Sequence, residues 1–165
     1  MASLALVSGC KRTPKRPPQT YSANGVTFQY PAGWVVIPPD RMAVVVTDSK
    51  LLAVVADQPE KNRAMVSVRK VVTSKSLAEY TQSIRSASES GGRKLMSHRS
   101  FQVAGFPATE MIKRMSRLSG QPVIERYVLF GKDGEIYSIT CTADLGHHEA
   151  LKPSFDQIVS SLKVR

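Results

Sequence analysis

The sequence is short of most of what catalysis and covalent cross-linking require. Its 2 cysteines, Cys10 and Cys141, are too few among 165 residues for a disulfide scaffold, and their separation matches no metal-ligand spacing. No G-x-S-x-G elbow, H-E-x-x-H pair, Walker A loop or Rossmann glycine triplet occurs, so the chemistries those motifs carry have no seat, and the chain reads as a non-enzyme without a cofactor. No apolar run approaches the ~18 residues of a spanning helix, so the body does not read as transmembrane. Acidic residues are missing from the whole N-terminal stretch, the first being Asp40. Aromatics make up 7% of the chain and include one tryptophan, Trp34; a nucleic-acid surface would require exposed aromatics interleaved with cations, and Phe101, Phe106 and Tyr127 read as core residues instead.

What is present suffices for one core. With 42% hydrophobic and 22% charged residues the chain can fold alone, and its length fits a single domain with a short tail, expected to be a monomer. The formal net charge of +10 predicts attraction to an acidic surface.

The tail divides into two pieces. Residues 1–9 are all small or apolar, and Val7-Ser8-Gly9-Cys10 resembles the lipobox of bacterial lipoproteins, in which the cysteine becomes an acylated N-terminus. Residues 1–10 therefore read as a truncated lipoprotein-type signal, lacking the cationic start and full apolar length of a secretory one. Residues 11–24 read as a basic, proline-rich linker: Lys11, Arg12, Lys15 and Arg16 suit an anionic leaflet, and Pro14, Pro17 and Pro18 hold the chain extended. An acyl chain on Cys10 would add the membrane anchor. The alternative is a cytoplasmic chain whose Cys10 is unmodified.

The body, residues 25–165, alternates and turns as a sheet does. Strands are predicted at residues 26–30, 34–37, 42–46, 51–56, 65–72, 94–103, 106–115, 123–130 and 135–143, with turns at 47–50, 104–105, 119–120 and 132–134. Trp34 should plug the core edge, its indole N–H on a backbone carbonyl. Ser76 and Glu79 form a capping box that opens a helix with Leu77, Tyr80, Ile84 and Ala87 on one face and Gly91-Gly92 as its stop. A second helix is predicted over residues 153–162, with Pro153 in its first turn. The class is α+β with a mostly antiparallel sheet.

The run Gly25-Val-Thr-Phe-Gln-Tyr-Pro-Ala-Gly-Trp34, the long meander, the middle helix and the closing Phe155-Asp-Gln-Ile-Val-Ser-Ser-Leu162 together resemble the PsbP/Mog superfamily, which includes DcrB-like lipoproteins. The resemblance implies a twisted antiparallel sheet between helices, an α/β/α sandwich, and a binding or assembly role. It also implies an address in the cell envelope or thylakoid lumen, consistent with Cys10, or else a cytoplasmic chaperone or regulator that captures a client.

Three candidate sites follow. Between residues 93 and 126 seven cations, Arg93, Lys94, Arg99, Lys113, Arg114, Arg117 and Arg126, face only Glu110 and Glu125, a local excess of five; if their strands are neighbours they form a patch for an acidic protein partner. His147, His148 and Glu149 are metal-ligand types, with His98 or Asp144 as further ligands, but adjacent helical residues diverge by ~100° and a solvated helix start explains them equally. Cys141 shares a strand face with Tyr137 and Ile139, which predicts a packed, inert thiol.

Overall fold

A computed structural model describes residues 16–38, 41–42, 49–59, 63–90, 93–117 and 119–165. The lipobox-like segment 7–10, the linker cations Lys11, Arg12 and Lys15, the strand expected over 42–46 apart from Met42, and the Gly91-Gly92 stop lie outside the described residues.

Two-residue turns set the pairing of the strands. Ala104 and Gly105 (φ 54° and 83°) and Asp133 and Gly134 (φ 53° and 78°) both adopt the left-handed conformation, whose twist matches that of the strands they join. The first pair links β6 (Lys94–Val103) to β7 (Phe106–Ser116), the second β8 (Pro122–Lys132) to β9 (Glu135–Asp144). Ala104 carries a Cβ there at a cost of about 1 kcal/mol, and the nine-residue-pair ladder between β6 and β7 holds it in place. Asn24-Gly25 makes the same kind of turn between β1 (Gln19–Ala23) and β2 (Val26–Tyr30).

The remaining strands are β3 (Val35–Val36), β4 (Ser49–Asp57), β5 (Ala64–Val71) and β10 (Lys163–Val164); the helices are α1 (Leu77–Ser90) and α2 (His148–Ser161). A small sheet has the order β1-β2-β10, and a seven-stranded sheet the order β3-β4-β5-β9-β8-β7-β6. Every pairing is antiparallel. Helix α1 thus carries the chain from β5 near the middle to β6 at the far edge, and β6 to β9 return as a meander that closes against β5.

The two faces of the large sheet bury different amounts of apolar surface. One is covered by α2 and the small sheet, around Phe28, Trp34, Val55, Val66, Phe130, Ile139, Phe155 and Ile158. The other is covered by α1 and holds a smaller cluster of Val71, Tyr80, Met111, Leu129 and Ile136. The result is the expected α+β sandwich, sheet between helices. The α1 capping box forms as predicted: Ser76 N–H donates to Glu79 Oε2 at 2.8 Å and Glu79 N–H to Ser76 Oγ at 3.3 Å. Leu77 then packs over Gly131, where a Cβ would lie 3.6 Å from its methyl carbon.

Three expectations are corrected. The stretch read as linker contains a strand, β1; of its five residues only Tyr21 is buried, so no alternation marks it. Tyr21 Oη donates to the Leu52 carbonyl at 2.8 Å and ties the small sheet to β4. Ser49 and Lys50 belong to β4 rather than to a turn, because they pair with Val71 and Lys70. Helix α2 starts at His148, so Pro153 lies inside it; its missing N–H leaves the Glu149 carbonyl to solvent, which the exposure of both residues permits. Trp34 is buried as expected, edge-to-face against Phe155 with ring centres 6.1 Å apart.

Candidate functional site

Strand alternation divides the seven expected patch cations between the two faces of the sheet. Lys113 and Arg126 retain 2% and 4% of their accessible surface, so the solvent-facing reading fails for these two: β7 turns Lys113 under α1, and β8 turns Arg126 under α2. Arg117 is partly covered and pairs with Asp144 at 3.2 Å. Arg99 is exposed, but its Nε donates to Glu110 at 2.6 Å and its guanidinium lies 5.3 Å from the centre of the Phe101 ring.

The rest of the set stays in solvent. Arg93, Lys94 and Arg114 are exposed. Lys94 and Arg114 stand directly opposite each other on β6 and β7, and neither has a carboxylate partner among the described residues. Like charges at opposite positions repel. They sit at the sheet edge, because β6 ends the strand order and seven of its ten residues are exposed. The arrangement is a basic ledge across β6 and its neighbour β7 at the edge of the sheet, able to receive anionic groups.

The buried cation on the α2 face is fully compensated. Arg126 donates from Nε to Glu110 and from Nη1 to Asp156 at 2.5 Å, and Lys152 Nζ reaches Asp156 at 2.9 Å. Burial would raise the Glu110 carboxyl, but the hydrogen bond from Arg99 and the charge and hydrogen bond of Arg126 outweigh it and hold Glu110 below the ordinary range. Asp156 is held down in the same way by Lys152 and Arg126 against its own partial burial. This chain of ions fastens α2 to the sheet.

The buried cation on the α1 face is not compensated to that degree. Lys113 lies opposite Glu125 in the β7–β8 ladder, with its Nζ 3.8 Å from Oε1, beyond hydrogen-bond length. It faces the Tyr127 ring at 4.9 Å. Burial pushes its ammonium below the ordinary lysine range; Glu125 opposes this and Arg93 adds to it. Beside it lies a cavity of about 330 Å³ between the second half of α1 and the sheet, lined by Arg69, Arg93, Lys113, Glu125, Tyr127 and Ser138 among others. Of these, Arg69, Glu125, Tyr127 and Ser138 were not singled out from sequence. A signal existed: Lys113 sits between Met111 and Met115, and Glu125 two residues before Tyr127, so both occupy inward-facing positions of apolar alternation.

The histidines do not converge. His147 is exposed, whereas His148 is buried against Phe155, ring centres 6.3 Å apart, with Nδ1 3.3 Å from Glu149 Oε1. No group of three or more His, Cys, Asp or Glu able to hold a metal ion occurs among the described residues. His98 is an exposed β6 residue. Cys141 is completely buried, and burial pushes its thiol up to about 12, so it packs as a hydrophobe. No helix among the described residues is long and apolar enough to cross a membrane.

Comparison with known proteins places the chain in context. Residues 8–164 match the family described as PsbP-like protein. The cyanobacterial PsbP, CyanoP, of Synechocystis sp. PCC 6803 is similar in structure, with TM-score 0.60 and 16% identity over 96% of this chain and 99% of that one. So is the Ran-binding protein Mog1p of Saccharomyces cerevisiae, with TM-score 0.56 and 11% identity over 90% and 95%. LpqN of Mycobacterium tuberculosis, involved in cell envelope biogenesis, gives 0.52 and 12% over 90% and 86%. At these identities the likeness is one of fold. No curated protein matches the chain by sequence.

Proposed function

The chain belongs to the PsbP-like protein family, and from that premise we propose that it is a non-catalytic accessory protein which binds an acidic protein partner while tethered to a membrane through a lipid on Cys10. The observation that carries the reading is the ledge of Lys94 and Arg114: two exposed cations opposed across the edge strand β6 and its neighbour β7, without carboxylate partners among the described residues. Arg93 and Arg99 extend it, whereas Lys113, Arg117 and Arg126 drop out of the contact surface. The roles of the structural relatives, Ran binding in one and cell envelope biogenesis in another, support a binding or assembly function. Segment 1–10 supplies the anchor in this reading, and the basic residues up to Arg16 hold the body near an anionic leaflet. The address is then the cell envelope or thylakoid lumen.

One observation favours a second reading, a soluble chaperone or regulator with Cys10 unmodified. Among the described residues no strand pairs with the outer edge of the ten-residue β6, and such an edge can accept an extended client segment as an added strand.

Two measurements test these readings. Intact mass and membrane fractionation of the chain expressed with its natural upstream region should show an acylated Cys10 as the N-terminus of a membrane-bound product; an unmodified soluble product would leave the chaperone reading. The double variant Lys94→Glu, Arg114→Glu should lose the salt-sensitive partners that the parent chain captures, with its melting temperature unchanged. Capture of the same partners in the same amounts would remove the ledge as the contact.

A further inference from the structure

The cavity beneath α1 is built differently from a helix–sheet contact. The first half of α1 seals against apolar residues, Leu77 and Tyr80 over Leu129, Ile136 and Gly131. Under its second half the sheet presents polar side chains from successive strands, all on one face: Arg69 on β5, Ser138 on β9, Glu125 on β8 and Lys113 on β7. Arg69 pairs with Ser138 across β5 and β9, and its Nη1 is held by Ser49 Oγ at 3.3 Å. Three cations, Arg69, Arg93 and Lys113, line the space against one carboxylate, Glu125.

Lys113 is the telling residue. A buried ammonium is expensive unless its protons are bonded, yet among the described residues Lys113 donates no hydrogen bond and meets only a distant carboxylate and a ring face. A methionine or leucine would fill this position at lower cost if packing were the sole requirement. The helix wall opposite the sheet is formed by Tyr80, Ile84 and Ala87, with apolar Val71 of β5 beside it, and the volume lies at the lower end of small-molecule sites.

We propose that this cavity is a binding site for a small organic anion, a carboxylate or phosphate bearing an apolar group, whose charged end is held by Lys113 with Arg69 and Arg93 and whose body lies along Tyr80 and Ile84. The anion supplies the hydrogen-bond acceptors that the ammonium lacks, and Tyr127 fixes the ammonium from the other side. Since its folded-state value is depressed by burial, the ammonium loses its proton at lower pH than an ordinary lysine, and affinity should fall as the pH rises through that value.

The test is a titration of the full chain, followed by two-dimensional amide NMR at low ionic strength, with benzoate, phenyl phosphate, inorganic phosphate and the uncharged benzyl alcohol. Saturable shifts confined to the second half of α1 and the facing parts of β7 and β8 are expected for benzoate and phenyl phosphate, and none for benzyl alcohol. Lys113→Met should weaken binding about tenfold or more, with the melting temperature kept or raised. Arg93→Gln, at the exposed mouth, leaves the core untouched and should weaken it severalfold, which keeps the test decisive if the first variant fails to fold. Inorganic phosphate binding as tightly as phenyl phosphate would identify free phosphate as the ligand; much weaker binding would identify an anion with an apolar body. No saturation up to ~10 mM of either aryl anion, or affinity unaltered by Arg93→Gln, would overturn the proposal. Partner capture by the ledge should be indifferent to Lys113→Met, so the two proposals fail separately.

Discussion

The large sheet has two faces, and each buries a cation in a different way. On the α2 face Arg126 is bonded to Glu110 and Asp156 inside a broad apolar core that includes Phe130, Ile139 and Phe155. On the α1 face Lys113 has one carboxylate beyond bonding distance and an adjoining cavity. The first arrangement fits stability: charges placed where desolvation is repaid by several hydrogen bonds, locking a helix to the sheet. The second does not reach that condition within the chain's own described residues. One face therefore holds the domain together, and the other is free to be built for a ligand.

The largest expected effect separates the faces by their cores. Phe155 is fully buried and meets both Trp34 and His148, so Phe155→Ala should cost about 3–5 kcal/mol in denaturant unfolding. Tyr80→Ala removes a ring that borders the α1 cavity, where solvent can replace it, and should cost only about 2 kcal/mol. Equal losses would mean that the two faces support the fold alike, and the comparison would collapse.

The next effect tests the ion chain. Glu110→Gln removes the central charge between Arg99 and Arg126 and should cost about 2–3 kcal/mol at neutral pH. Its pH dependence carries a sign. Because the folded-state carboxyl titrates below the ordinary value of 4.5, the unfolded chain takes up the proton first as the pH falls. The contribution is complete above about pH 4.5 and is lost as the pH drops below it through the folded-state value. The gap between parent and variant should thus close in acid, measured as unfolding free energy between pH 7 and pH 3; a gap independent of pH would show that the carboxylate's charge is not what joins α2 to the sheet.

Much of this contrast can be read in the sequence, and the unread part has a physical cause. Turn residues between apolar runs mark β6 to β9, the capping box marks α1, and the shared face of Tyr137, Ile139 and Cys141 is the core face of β9. Strand β1 was invisible because a single buried Tyr21 makes no pattern. The seven cations appeared as one patch because counting charge along a segment ignores the alternation that turns Lys113 inward and Arg126 to the opposite face. The cavity was invisible for a further reason: its lining comes from β4, β5, α1, β7, β8 and β9, residues far apart in sequence that only the return of the meander against β5 brings together.

The smallest effect concerns the edge of the sheet, which belongs to neither core. If Lys94 and Arg114 repel across the β6–β7 ladder, then Arg114→Glu alone replaces repulsion with attraction and should raise stability, by about 0.2–1 kcal/mol at low salt and less at high salt. The same substitution halves the ledge and should weaken capture of an acidic partner. A position that gains stability and loses binding from one change of charge has been kept for the contact rather than for the fold. If the substitution instead lowers stability at low salt, Arg114 contributes to packing along β7, and the ledge would have to be sought in Arg93 and Lys94 alone.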